Sequence, residues 1–232
     1  QVIYATVTGD KIMASATSQE LKKFGIETGL TNYSAAYATG LLLARRLLKS
    51  LNMDSLYQGT DKTNGDDYDV TADCNEDKQP FKAVLDVGII ATTTGNRTFG
   101  ALKGACDGGL NIPHSVKRYP GYSKEGKYDA KAHRDRIYGV HVDQYMKTLK
   151  EESNEEYLKQ FSVWDKALKK AGVTSVEKLY ENVHAKIRKD PVLKSKEVKN
   201  PKRINKKNKK LTLVQKKANI AAKIKIAMES HA

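Results

Sequence analysis

The sequence predicts an α/β protein: a small mixed sheet with flanking helices, then a C-terminal helical extension and a basic tail. Three observations carry that expectation. Strand-like runs at Val2–Val7 and Phe81–Val87 are interleaved with helical patterns, and beyond Gly126 the composition shifts to helix formers. Charge is also uneven. The chain carries +14 over 232 residues, yet the stretch Lys186–Ala232 alone holds sixteen Lys/Arg against three acids. A near-neutral body therefore bears a strongly cationic end, as in solvated disorder, polyanion-binding arms or membrane-surface segments. The expected divisions are an α/β core over 1–126 with an acidic surface insertion at 58–80, a helical extension over 127–189, and a lysine-rich tail with one helix over 190–232.

In chain order, Val2, Tyr4 and Val7 meet a turn at Thr8-Gly9-Asp10-Lys11, and Ile12–Ala16 returns as a hairpin arm. Thr31-Asn32 offers an N-cap to a long helix, Tyr33–Leu51. Its Tyr33, Ala36, Tyr37, Gly40, Leu41, Ala44 and Leu48 recur at three- and four-residue spacing. The Ala and Gly content suits close packing against a sheet. Arg45 and Arg46 follow on its far end, as a solvated pair or as an RNA contact. Residues 58–80 are acidic and turn-rich but lack the spaced Asp/Gly/Glu pattern of a calcium loop, so a surface insertion is expected. Phe81–Val87 is apolar enough for a buried strand. Its exit leads into Thr92–Asn96 and a helix over Arg97–Leu110. Helices follow near Ala130–Glu152, Glu155–Ala171 and Ser175–Lys189, the last stopped by Asp190-Pro191. Trp164 and Phe161 are expected to pack. A lysine-bearing helix over Leu213–Met228, with Ile220, Ile224 and Ala227 on one face, is too poor in apolar residues to fold alone and is expected to order on a polyanion.

Several function classes are excluded. No apolar run approaches the length that crosses a bilayer, so no membrane partner is expected. Cys74 and Cys106 match no metal or redox spacing and suit reduced thiols in an intracellular protein, which makes the Asn32 and Asn96 sequons coincidental. Gln1 is not an initiator methionine, and the natural protein is expected to begin earlier. The five histidines accompany no H-E-x-x-H, no cysteine pair and no G-x-S-x-G. A nuclease built on Asp86 and Asp107 would lack a third partner, and Thr92–Asn96 lacks the Gly-Lys-Ser/Thr of a phosphate loop. No catalysis, metal or cofactor is expected.

Anion binding fits better. From Ala91 to Ser123 the chain presents three threonines and Gly95-Asn96, a helix start, and a Pro-bounded loop with His114, Lys117, Arg118, Tyr119 and Tyr122. Small polar side chains ahead of a helix leave backbone N–H groups free at its positive end, where phosphate binds. Arginine and lysine add charge, and tyrosine offers a face to an unstacked base. Between Ala91 and Arg136 nine basic residues stand against four acids. A capped core helix followed by a surface loop is the plainer reading of the same residues.

Two blocks, GLTNYSAAYATGLLLARRLL (29–48) and VLDVGIIATTTGNRTFGALKGACDGGLNIPHSVKRYPGY (84–122), together with the lysine-rich end, closely resemble the universal L-eighteen family of large-subunit ribosomal proteins. The resemblance spans essentially the whole chain. It implies an α/β core and no enzymatic activity. The implied role is to bind 5S ribosomal RNA and seat it in the central protuberance, contributing to subunit assembly. The implied partners are 5S rRNA, large-subunit rRNA and neighbouring large-subunit proteins, including the other 5S-associated one. The implied location is the cytoplasmic ribosome, with a nuclear and nucleolar assembly phase. A basic N-terminal arm that the family uses to grip 5S RNA is not in this sequence. Carried over by position, the RNA-facing residues are Thr31, Asn32 and Tyr33; Thr92, Thr93, Thr94, Asn96, Arg97, Phe99 and Lys103; and His114, Ser115, Lys117, Arg118 and Tyr119, where the family often has phenylalanine at the last position. The basic residues Arg45, Arg46, Arg203, Lys206, Lys207, Lys209 and Lys210 complete the candidate set. The alternative is a protein-interaction or assembly-regulatory module, with 127–189 gripping a partner and Lys206–Lys210 serving as a nuclear address.

Overall fold

Two glycines, Gly40 and Gly104, allow two helices to meet backbone to backbone. They lie on helices α1 (Tyr33–Ser50) and α2 (Arg97–Asp107). A Cβ added at Gly40 would lie 2.0 Å from the carbonyl oxygen of Ala101, and one at Gly104 would lie 2.0 Å from that of Tyr37. Backbone therefore meets backbone, a separation that only glycine permits. The small residues of α1 thus serve a helix and not the sheet expected from the sequence. The computed structural model describes residues 1–73, 78–123, 125, 127–192 and 210–230. These form two compact units, Gln1–Leu193 and Lys194–Ala232.

The first unit is α/β, with a small sheet and flanking helices. Strands β1 (Val2–Thr6) and β2 (Gly9–Ala14) pair antiparallel. The chain reverses at Val7-Thr8, earlier than the Thr8–Lys11 turn expected. Gly9 adopts φ +130° and Thr6 Oγ1 donates to its carbonyl at 2.5 Å. Among the described residues this hairpin is the whole sheet. Phe81–Val87, expected as a buried strand, makes one parallel bridge between Lys82 and Asn111, held by Ala83 N–H to Asn111 O at 2.9 Å and Asn111 N–H to Phe81 O at 3.0 Å. Among the described residues it forms no further ladder, and Val84 is 84 % exposed.

Helix α2 stops at Asp107, short of Leu110, where Gly108-Gly109 follows. The helix expected over 130–152 is two: α3 (Ala130–Tyr138) and α4 (Val140–Glu152), broken at Gly139, whose φ of +73° ends the first helical run. Helices α5 (Asn154–Ala171) and α6 (Val176–Lys189) start on serine caps, Ser153 accepting from Glu156 N–H and Ser175 from Lys178 N–H. The main core packs Ala35, Tyr37, Ala38 and Leu41 of α1 against Ile137, Met146, Phe161, Tyr180, Val183 and Ile187 from α3 to α6. Trp164 lies over Gly29. Within the second unit α7 (Leu213–Ser230) is exposed along its length.

Cations are built into the interior. Lys103 is 1 % exposed; its Nζ pairs with Asp107 Oδ1 at 2.6 Å and donates to the Asp66 carbonyl. Asp107 Oδ2 accepts the Tyr37 hydroxyl at 2.7 Å, and that hydroxyl also meets Thr63 Oγ1 at 3.0 Å. Arg45, also buried, donates to the carbonyls of Tyr57 at 2.7 Å and Asp54 at 2.9 Å. Arg188 donates to the carbonyls of Gln58, Thr60 and Asp107. The acidic segment after residue 57 is thereby fastened at its backbone to α1, α2 and α6.

Gly104→Ala places a methyl inside the α1–α2 contact. The gain in helix propensity, about 1 kcal/mol, is outweighed by overpacking of about 3 kcal/mol against an unyielding carbonyl. The expected outcome is a melting temperature lower by several degrees, followed through Trp164 fluorescence.

Candidate nucleic-acid interface

The predicted helix starts are real and are capped by their own asparagines. Asn32 Oδ1 accepts Ala35 N–H at 2.7 Å at the head of α1, and Asn96 Oδ1 accepts Thr98 N–H at 3.1 Å at the head of α2. Because Gly40 and Gly104 bring α1 and α2 together, the two starts are close. Arg97 Nη1 donates to the Thr31 carbonyl at 2.6 Å. On the other side the Thr94 hydroxyl donates to the Lys117 carbonyl at 3.2 Å, and Gly95 N–H donates to that of Arg118 at 2.9 Å. Ser115 caps the 3-10 turn Val116–Arg118 by accepting Lys117 N–H at 3.4 Å. Three segments far apart in sequence thus make one edge. Thr31, Thr92, Thr93, Thr94, Arg97, Ser115, Lys117 and Arg118 are exposed along it. This edge combines hydroxyls and guanidinium and ammonium groups, and none of these eight side chains is acidic.

Other candidates turn inward. Lys103 and Arg45 are committed to the interior contacts above, so neither offers its charge to a ligand. Phe99 is buried with Leu102 and Cys106. Tyr119 has no exposed surface and stacks on His133 with ring centroids 4.7 Å apart. Arg46 pairs with Glu20 at 2.7 Å and donates to Ser15 O. Asn32 is consumed by its cap and by the Tyr180 hydroxyl, 3.0 Å from Nδ2. His114, half-buried, places Nδ1 2.6 Å from the Ile112 carbonyl and Nε2 3.0 Å from Asp67. Lys210 is exposed in the second unit, and Arg203, Lys206, Lys207 and Lys209 lie outside the described residues.

Tyr33 belongs to a network that sequence spacing does not reveal. Its hydroxyl lies 2.8 Å from His133 Nε2, while the Tyr128 hydroxyl lies 2.5 Å from Nδ1. Tyr128 donates its one proton to the Gly65 carbonyl, so its oxygen accepts Nδ1–H. Nε2 is then left to accept the Tyr33 proton, and the ring is neutral. Burial, helped by Lys103, lowers the His133 pKa to about 3. His133 pins the start of α1 to α3 beneath the exposed edge.

Catalytic readings fail on geometry. Asp86 is exposed and caps Gly88 N–H at 2.8 Å, while Asp107 is locked in its ion pair. Cys106 lies 3.8 Å from His114 Nδ1, but that nitrogen faces a carbonyl, and burial pushes the thiol up to about 12. Among the described residues no cluster of three His, Cys, Asp or Glu could hold a metal, and no helix is long and apolar enough to cross a membrane.

Comparison with known proteins agrees with a non-catalytic surface. Residues 1–115 match the family described as ribosomal large subunit proteins 60S L5 and 50S L18, and residues 176–229 match the ribosomal L18 C-terminal region. The large ribosomal subunit protein uL18 of Tetrahymena thermophila is 53 % identical over 98 % of this chain and 79 % of its own length. That of Theileria annulata is 54 % identical over 91 % and 70 %, and that of Oryza sativa subsp. indica is 49 % identical over 97 % and 73 %. The molecule is thus a structural, non-enzymatic protein of the large ribosomal subunit. Within that class, the chain belongs to the family of ribosomal large subunit proteins 60S L5 and 50S L18. Its place is the ribosome, with rRNA and ribosomal proteins as partners.

His133 and His184 give the fold a pH signature. His184 is enclosed, and burial together with Arg188 lowers its pKa to about 3. Both groups have depressed folded values, so unfolding takes up protons below the ordinary histidine value of about 6.5. Their stabilisation is complete above that value and falls with pH through the window down to about 3. The loss is about 1.4 kcal/mol per pH unit for each histidine. Urea midpoints by Trp164 fluorescence should drop between pH 6.5 and 5, and His184→Phe should roughly halve the slope.

Proposed function

We propose that this chain binds 5S ribosomal RNA along the Thr31–Arg97–Lys117 edge and seats it in the central protuberance, contributing to large-subunit assembly. The observation that carries the reading is the joining of two helix starts and the basic turn through Arg97 to Thr31 O and Thr94 to Lys117 O. Threonine hydroxyls and the N-terminal amides of α2 meet phosphate oxygens there, with Arg97, Lys117 and Arg118 supplying charge. The choice of 5S RNA rests on the resemblance of blocks 29–48 and 84–122 and on the uL18 relatives. In this reading 1–126 is the RNA-binding core, 127–189 faces neighbouring proteins, including the other 5S-associated one, and 190–232 adds a polycationic arm. A nuclear and nucleolar phase precedes the cytoplasmic one.

A filter-binding titration of 5S RNA across salt tests it. Combined substitution of Arg97, Lys117 and Arg118 by alanine should weaken binding by about tenfold or more. The log–log salt slope should flatten by roughly 0.7–0.9 for each phosphate that is no longer neutralised. Melting should fall by no more than a few degrees, since the side chains are exposed and one hydrogen bond, Arg97 to Thr31 O, worth about 1 kcal/mol, is lost. Lys103→Ala should behave oppositely. It strands the Asp107 carboxylate and destabilises by about 3–5 kcal/mol, with any binding loss tracking unfolding. A triple variant with wild-type affinity and slope would remove the edge from the RNA footprint.

A further inference from the structure

Away from that edge, a cleft of about 770 Å³ opens between the 61–64 loop, α3 and α6. Its lining interleaves charges: Lys62, Lys131, Arg134 and Arg188 with Asp61 and Glu181. Two of the cations are already neutralised. Arg134 pairs with Glu177 at 2.8 Å and Arg188 with Asp61 at 3.6 Å. Lys62 and Lys131, both exposed, hold no carboxylate among the described residues. His184 lines the same cleft, is 6 % exposed, and leaves both ring nitrogens without a hydrogen-bond partner. The other buried imidazole, His133, is bonded at both nitrogens, and the unpaired hydroxyls of Thr60 and Tyr119 lie off this cleft's lining, so an unpaired ring at the cleft wall marks an incomplete environment.

We propose that this cleft is a docking site for an acidic polypeptide segment of a neighbouring protein. Carboxylates of the segment meet Lys62 and Lys131, one on the loop and one on α3, while shorter side chains fill the hollow toward His184. A polypeptide fits better than RNA. A nucleic-acid backbone presents one anion per nucleotide and would face Asp61 and Glu181 on the same lining. The exposed side chains of the Thr31–Arg97–Lys117 edge include no such acid. Mixed charge around a concave patch is the pattern of a protein contact, where partner charges can be placed singly.

The test replaces Ala185, an exposed residue of the cleft, with the photo-crosslinker p-benzoylphenylalanine in the full chain assembled into large subunits. After irradiation, linked peptides are sequenced, and the yield is compared with that of a Lys62→Glu/Lys131→Glu form. The expected result is linkage to an Asp/Glu-rich protein segment, reduced about tenfold or more by the charge reversal. Melting of the reversed chain should stay unchanged, since both lysines are exposed. Linkage to RNA, linkage only within the chain, no linkage, or protein linkage indifferent to the reversal would each overturn the proposal. The RNA titration uses other residues, so its outcome and this one are read separately.

Discussion

The contact on which the molecule depends is the approach of α1 and α2 through Gly40 and Gly104. Side chains at either position would push the helices apart, and everything at their N-terminal ends would separate. Because the axes are so close, Arg97 at the start of α2 reaches the carbonyl of Thr31 just before α1. The caps Asn32 and Asn96 then stand as neighbouring helix heads, each with a positive dipole end. The surface chemistry is thus set by backbone packing below it and not by any one polar residue.

The second constraint is how the interior handles charge. A lysine with 1 % exposure is tolerated because Asp107 and a carbonyl satisfy it, and because Asp107 in turn accepts the Tyr37 hydroxyl. Arg45 and Arg188 work differently, each spreading a guanidinium over several carbonyls. This matters for the acidic, turn-rich segment after residue 57, which has little apolar surface of its own and is held by donors from three helices. His133 performs the corresponding task for the start of α1, using two tyrosine hydroxyls.

Much of this is legible in the sequence, and the misses have physical causes. The cap at Asn32, the span of α1 and the helix start after Thr92–Asn96 follow from local spacing, which is where single-sequence patterns are strongest. The glycines at 40 and 104 are visible, but their partner is not, since small residues suit a helix or a sheet equally. Phe81–Val87 has strand composition yet finds only Asn111 beside it among the described residues, and a strand requires a neighbour that composition does not supply. Lys103, Arg45 and Tyr119 belong to residue types that ordinarily keep their polar ends in water. Lys103 has a local partner in Asp107, four residues on, but the burial of all three follows from contacts distant in sequence: the Asp66 carbonyl, the carbonyls around Arg45, and His133. Gly139 sits inside an otherwise helical pattern, and only its positive φ divides α3 from α4.

Burying Lys103, Arg45 and Arg188 has an electrostatic consequence. A formal charge counts residues, whereas an arriving phosphate pairs only with cations that keep a face in water. Lys103 and Arg188 are matched by Asp107 and Asp61, and Arg45 is spread over carbonyls, so none of the three is presented to a phosphate. Direct phosphate contact must then come from cationic tips that stay wet, such as Arg97, Lys117 and Arg118. Their arrangement, rather than their sum, sets the direction from which a nucleic acid is drawn in.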